Sequence, residues 1–167
     1  MAEQPRIAAA QGAVPLYFAV LNEIGIIEQL ASALLEARLP RGYLKSHFVV
    51  LNHLVRVADG RTPQELASAF QVPKTTMTHT LRGLEAGGLV RTAPNPADGR
   101  SKCVWITLQG RAFRDRAIAA LEPDTARIAA EFPPERLVPL LPELAALRAV
   151  MDRLRDAPPP RLPPEDL

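Results

Sequence analysis

The sequence is poor in the residues that build redox and metal centres. It holds one cysteine and three histidines. A single thiol closes no internal disulfide, which fits a reducing compartment. His47 and His53 stand at i and i+6 on a predicted helix, a spacing that does not converge on one metal, and no Cys/His/Asp cluster has metal-ligand spacing. Nucleophile elbows, phosphate-binding loops and paired carboxylates are also missing, so the expectation is a protein that is not an enzyme and uses no metal or cofactor. No uninterrupted apolar run approaches the ~18–20 residues of a membrane span. The opening MAEQPRIAAAQGAV lacks the cationic start and apolar core of a secretory signal. These absences predict a soluble, cytoplasmic protein without a membrane partner.

Net charge is also small, at +2, but it is not evenly spread. Residues 72–102 carry Lys74, Arg82, Arg91, Arg100 and Lys102 against Glu85 and Asp98, an excess of three positive charges. The flanks are neutral or slightly acidic. A near-neutral chain that concentrates its cations in one stretch predicts a polyanion-facing surface there. Ala and Leu outnumber Val, Ile and Thr, which predicts mostly helix, and 167 residues suffice to bury a real core.

Residues 1–14 read as a loose arm. From Pro15 to Leu39 the apolar positions Leu16, Val20, Ile24, Ile27, Leu30 and Leu34 have helical spacing. A second helix is predicted over Leu44–Ala58, stopped by Asp59-Gly60. Thr62-Pro63-Gln64-Glu65 has the form of a capping box with proline in the first turn, and opens a short helix with Leu66, Ala69 and Phe70 inward. After a turn at Gln71-Val72-Pro73, a helix over Lys74–Ala86 buries Met77, Leu81 and Leu84. Gly87-Gly88 ends it. Leu89–Thr92 reads as a strand, Ala93–Lys102 as a hairpin tip and Cys103–Ile106 as the return strand. Thr107 caps a long helix that Pro123 kinks or ends. Phe132-Pro133-Pro134 marks a new start, and a last helix over Pro142–Arg155 follows. Residues 157–167, rich in proline, read as an extended or disordered tail.

Helix, turn, helix and basic hairpin, in that order, make the winged helix-turn-helix plan. The second helix of the pair fits a major groove about 12 Å wide. Lys74, Thr75, Thr76, Thr78, His79 and Arg82 are the candidates to meet bases and phosphates from it, and Arg100 and Lys102 would follow the backbone or the narrower groove. The alternative is an ordinary solvated helix and hairpin. The leucines at 137, 140, 144, 147 and 154, with Met151, repeat at 3-4-3-4-3 spacing; as a dimer seam they are Leu140, Leu144, Leu147, Met151 and Leu154, and as core they would need no partner.

The run LEAGGLVRTAPNPADGRSKCVWITLQGRA resembles the MarR family of bacterial transcription regulators. The matching positions are Leu84 to Val90, then Asp98 and Arg100, then Ile106, Thr107 and Gly110, with Glu65-Leu66-Ala67 upstream. The resemblance implies a mainly α fold with a small β-hairpin wing, its winged helix-turn-helix (44–107) flanked by N- and C-terminal dimerisation helices (15–43 and 108–156). It implies a homodimer on double-stranded DNA at a pseudo-palindromic operator, usually as a repressor, often released by a small-molecule effector. It implies that Asp98 braces the wing and Arg100 enters the minor groove. His79 stands where the family often has Arg, and Arg82-Gly83 where it often has Asp-Arg, so no operator sequence carries over. Some relatives sense oxidants through a thiol; for Cys103 the plainer reading is a small packing residue. Tyr17, Tyr43 and His47 are possible lining for an effector pocket, which stays unassigned. A winged helix can also serve as a protein-interaction module that never touches DNA.

Overall fold

The computed structural model describes residues 12–155. The expected Pro-rich tail lies wholly outside them, as does the expected arm up to Gln11. The chain divides into two compact units, one running through Glu122 and one from Pro123.

The first unit opens with α1, Ala13–Arg38, which starts two residues before the predicted Pro15. Only Leu35 of its 26 residues is buried, and Tyr17, Phe18, Ile27 and Leu30 are well exposed. By length and composition α1 is apolar enough to cross a membrane, with a mean hydropathy of 1.4 over its best window. This corrects the sequence-based expectation: Asn22, Glu23, Glu28 and Gln29 interrupt the run and hide it from a search for unbroken apolar stretches. On the polar side, Glu28 pairs with the Lys45 ammonium and Glu36 accepts from the Lys45 backbone N–H at 3.2 Å, which ties α1 to the start of the next helix.

α2, Lys45–Arg56, buries Val50, Leu51 and Leu54. α3, Pro63–Ala69, begins with the predicted capping box: Thr62 Oγ1 accepts from Glu65 N at 3.2 Å, and Glu65 Oε2 accepts from Thr62 N at 2.7 Å. The backbone N–H of Thr62, then its hydroxyl, hold the Glu65 carboxyl below the usual range. Ala67 rather than Ala69 is the buried alanine. The helix ends with Gln71 in the left-handed region at φ 51°, while Gln71 N and Val72 N donate to the Ser68 and Ala67 carbonyls. That is a Schellman stop with glutamine in the position glycine usually holds, and it sets the turn into α4, Lys74–Ala86. Met77, Thr80, Leu81 and Leu84 are its buried face.

Antiparallel β1, Val90–Asn95, and β2, Asp98–Ile106, form the wing. The predicted ten-residue tip is a correction: the strands run almost to the turn, leaving only Pro96 and Ala97 outside them. Side chains finish the ladder where register is lost after Pro94. Asn95 Oδ1 accepts from Ala97 N at 3.0 Å, and its Nδ2 donates to Ser101 Oγ at 2.9 Å. Arg61 adds a bridge on the other edge of β2, its carbonyl accepting from Val104 N at 2.8 Å.

α5, Leu108–Ala119, is capped by Thr107, whose Oγ1 accepts from Gly110 N at 3.0 Å. Leu51, Leu54, Leu66 and Leu84, nearly inaccessible to solvent, centre the core where α2, α3, α4, the wing base and Phe113 of α5 meet. Each fully buried leucine contributes about 1.5–3 kcal/mol.

In the second unit, Pro123 falls in the first turn of α6, Glu122–Glu131. It opens a new helix instead of kinking the previous one, because a first-turn proline lacks only an N–H that has no helical partner there. A 3₁₀ turn, Pro134–Arg136, follows, with the Arg136 guanidinium 4.2 Å from the Phe132 ring centre. α7, Leu140–Arg155, begins two residues before the expected Pro142 and has no buried residue.

Candidate nucleic-acid interface

The exposed side of α4 carries Lys74, Thr75, Thr76, His79 and Arg82, and the wing carries Arg100 and Lys102, also exposed. The threonines of α4 are not alike. Thr80 is buried, its hydroxyl donating to the Thr76 carbonyl at 3.2 Å. Thr78 is half-buried and donates to the Lys74 carbonyl at 2.8 Å, so it keeps only acceptor capacity for a ligand.

Carboxylates hold some of the chain's cations and leave others unpaired. Lys45, Arg61, Arg111, Arg114 and Arg148 each face a carboxylate. Among the described residues, Lys74, Arg82, Arg100 and Lys102 form no ion pair. Asp98 takes the backbone N–H of Arg100 at 3.0 Å, and Ser101 Oγ donates to the Asp98 carbonyl at 3.1 Å. The carboxylate therefore shapes the wing's backbone and leaves the guanidinium uncommitted. Arg91 differs, lying 5.7 Å from the Trp105 ring centre. Trp105 in turn covers Gly60, where any Cβ would come within 2.5 Å of the indole. Cys103 is buried, opposite Ala93 in the ladder, which suits a packing residue.

Several positioning groups escaped the sequence reading. Asp59, read only as a helix stop, accepts from Gly60 N at 3.0 Å and Ile106 N at 2.9 Å and pairs with Arg111 at 3.1 Å, so one carboxylate joins the end of α2, β2 and α5. Glu85 accepts from Thr92. Gly83, a blemish on helix propensity, has a packing reason: a Cβ there would lie 2.7 Å from His47 Nε2. A glycine and a histidine 36 positions apart in sequence give no signal of contact until the fold brings α2 onto α4.

His47 Nδ1 accepts from the Leu44 backbone N–H at 2.9 Å, which assigns the neutral ring's proton to Nε2. Burial, then the charge of His79, holds the His47 pKa below the usual imidazole value of 6.5. The unfolded chain takes up a proton that the folded chain resists, so stability is greatest above that range and falls as pH drops through about 6.5. His47→Gln keeps an acceptor at the third helical position and removes the titration. Its melting temperature is expected to fall less than that of the natural chain between about pH 8 and about pH 5.5. Equal declines would assign the pH dependence to other groups, His53 first among them.

The sequence model of the MarR family matches residues 42–101, from the start of α2 through most of the wing. The winged helix is of the MarR type. Solved structures extend the likeness over most of the chain. The transcriptional regulator Tm0710 from Thermotoga maritima is 25% identical, with 86% of this chain and 99% of that one covered and a TM-score of 0.56. A MarR transcriptional regulator from Methanosarcina mazei superimposes with a TM-score of 0.69 over 81% of this chain and 97% of that one, at 17% identity. Bordetella bronchiseptica BpsR, solved to explain how 6-hydroxynicotinic acid regulates its DNA binding, gives 0.60 at 21% identity, with 78% and 98% covered. No curated protein matches. The fold is that of MarR-family transcriptional regulators: mainly helical, with one two-stranded wing.

The MarR signature positions are mostly builders of the fold. Thr107 N donates to the Leu89 carbonyl at 3.1 Å, and its hydroxyl donates to the Gly88 carbonyl at 2.7 Å. Gly88 takes φ +68°. Leu84, Leu89, Val90 and Ile106 are core. Of the motif, Arg100 alone offers an uncommitted charged side chain to a ligand.

Proposed function

We propose that this MarR-type chain is a homodimeric, sequence-specific, double-stranded DNA-binding transcription regulator that represses by occupying a promoter and is released by a small-molecule effector. The observation that carries the reading is the cluster of exposed cations Lys74, Arg82, Arg100 and Lys102 on α4 and the wing, none of which forms an ion pair among the described residues. Unpaired exposed cations keep their full attraction for phosphate, and their counterions are released on binding. Thr75, Thr76, Thr78 and His79 supply hydrogen-bonding groups beside them, and Asp98 braces the wing. The apolar faces of α1 and α7 support self-association, since neither helix covers its own face: Leu140, Leu144, Met151 and Leu154 are all exposed and Leu147 is half-buried. Two copies would then meet half-sites roughly 10 base pairs apart. The regulation of BpsR by 6-hydroxynicotinic acid supports an effector of small-molecule class here, and the cytoplasm is the compartment this activity requires.

Selection of bound sequences from a random duplex pool tests binding, symmetry and specificity together. A palindromic consensus is expected, with affinity falling steeply as salt rises. On that consensus Arg82→Ala should cost about 1–3 kcal/mol and relax one base position if Arg82 meets a base edge. If it meets phosphate, the loss is uniform across sequences and the salt slope falls by about one per contact. Failure to enrich any duplex, with binding instead to a protein partner, would replace this reading by the interaction-module one.

A further inference from the structure

Two side chains outside the DNA-facing set join the two elements that would read DNA. Glu85, in the last turn of α4, accepts from the Thr92 hydroxyl at 2.7 Å and from the Thr92 backbone N–H at 3.3 Å. Among the described residues the first of these is the hydrogen bond that a wing side chain makes to α4. The link is charge-assisted and holds the third residue of β1, beyond which the strand leaves the core toward Arg100 and Lys102. Elsewhere the wing base is held by core packing of Val90, Val104 and Ile106 with Leu81 and Leu84, and by backbone bonds that close the helix: Gly88 N donates to the Glu85 carbonyl and Leu89 N to the Leu84 carbonyl, both at 2.9 Å.

We propose that the Glu85–Thr92 pair is a positioning latch that sets the angle between α4 and the wing, so that both contact one duplex without a separate ordering cost. The inference rests on the DNA-binding function proposed above. Two contact elements on one rigid body act as a chelate: once the helix docks, the wing meets its groove at high effective concentration. A looser wing pays for its ordering on binding and returns less affinity. Thr92 touches no nucleic acid in this scheme; it acts through Glu85 and the strand.

Thr92→Val tests the latch in the full-length protein. Valine keeps the shape and suits a strand, removes the hydroxyl and leaves the net charge unchanged. Arg100→Ala is measured in both backgrounds on the selected duplex. Thr92→Val should weaken binding by about three- to tenfold, and the fold-loss caused by Arg100→Ala should be smaller in its presence by a similar factor, because an unlatched wing already contributes less. Thr92→Ser, which restores the hydroxyl, should recover both values. A merely structural role would lower the melting temperature and leave the Arg100→Ala fold-loss unchanged, which overturns the latch while DNA reading stands. Natural-sequence affinity in Thr92→Val overturns it as well. A natural chain that binds no duplex removes both proposals together.

Discussion

Replacing Arg100 by alanine is expected to lower affinity for the selected duplex by about two orders of magnitude. The side chain sits on the wing with its backbone N–H anchored by Asp98 and its guanidinium paired with no carboxylate among the described residues. Nothing in the fold depends on that charge, so its loss leaves stability within about 0.5 kcal/mol, the usual range for exposed substitutions. The whole effect should fall on binding. An arginine in a narrow minor groove gains from the enhanced negative potential there, and one such contact is worth about 1–2 kcal/mol. The proposed dimer would lose it twice, giving roughly 2–4 kcal/mol when the half-sites are independent. Fluorescence anisotropy on the natural and variant proteins, with melting curves beside it, gives both numbers. An unchanged affinity would remove the wing from the interface, and with it the reading of the unpaired cations as a phosphate-facing set.

The second large effect concerns folding. Gly110→Ala places a methyl group in the first turn of α5, a change that ordinarily stabilises a helix by up to about 1 kcal/mol. Here the sign should reverse. A Cβ on Gly110 would collide with the Leu89 carbonyl oxygen, and would lie 2.8 Å from Ile106 Cγ1 and 3.0 Å from the Leu89 carbonyl carbon. The carbonyl cannot give way cheaply, because it already accepts from Thr107 N at 3.1 Å and shares the Thr107 hydroxyl proton, at 3.1 Å, with the Gly88 carbonyl. Backbone overlap of this kind costs about 3 kcal/mol or more, a large share of the ~5–15 kcal/mol that stabilises a domain. Denaturant unfolding should show the midpoint falling sharply. Gly25→Ala is the control: its Cβ would meet nothing within 4 Å, so the ordinary helix preference should hold there. A stabilised Gly110→Ala would mean that α5 does not approach the wing base as closely as described.

These two residues also mark the line between local and tertiary information. Local chemistry wrote the helix-turn-helix into the sequence. Thr62 and Glu65 form their box because a cap needs only neighbours three apart, and Met77, Leu81 and Leu84 face inward because helical spacing puts them on one side. Proline in a first turn, glycines after a helix and alternating strand residues are likewise signals within a few positions. The cluster of cations at 72–102 was countable before any fold was known. Tertiary structure alone decided where a carboxylate distant in the chain reaches a cation, as Asp59 reaches Arg111. It also decided that Gly83 makes room for His47, that Gly110 lies under a carbonyl, and that Glu85 reaches Thr92 across a glycine turn. Those contacts come from the packing of α2, α4, α5 and the wing around one core, and periodicity along a single element holds no record of what the next element will press against it.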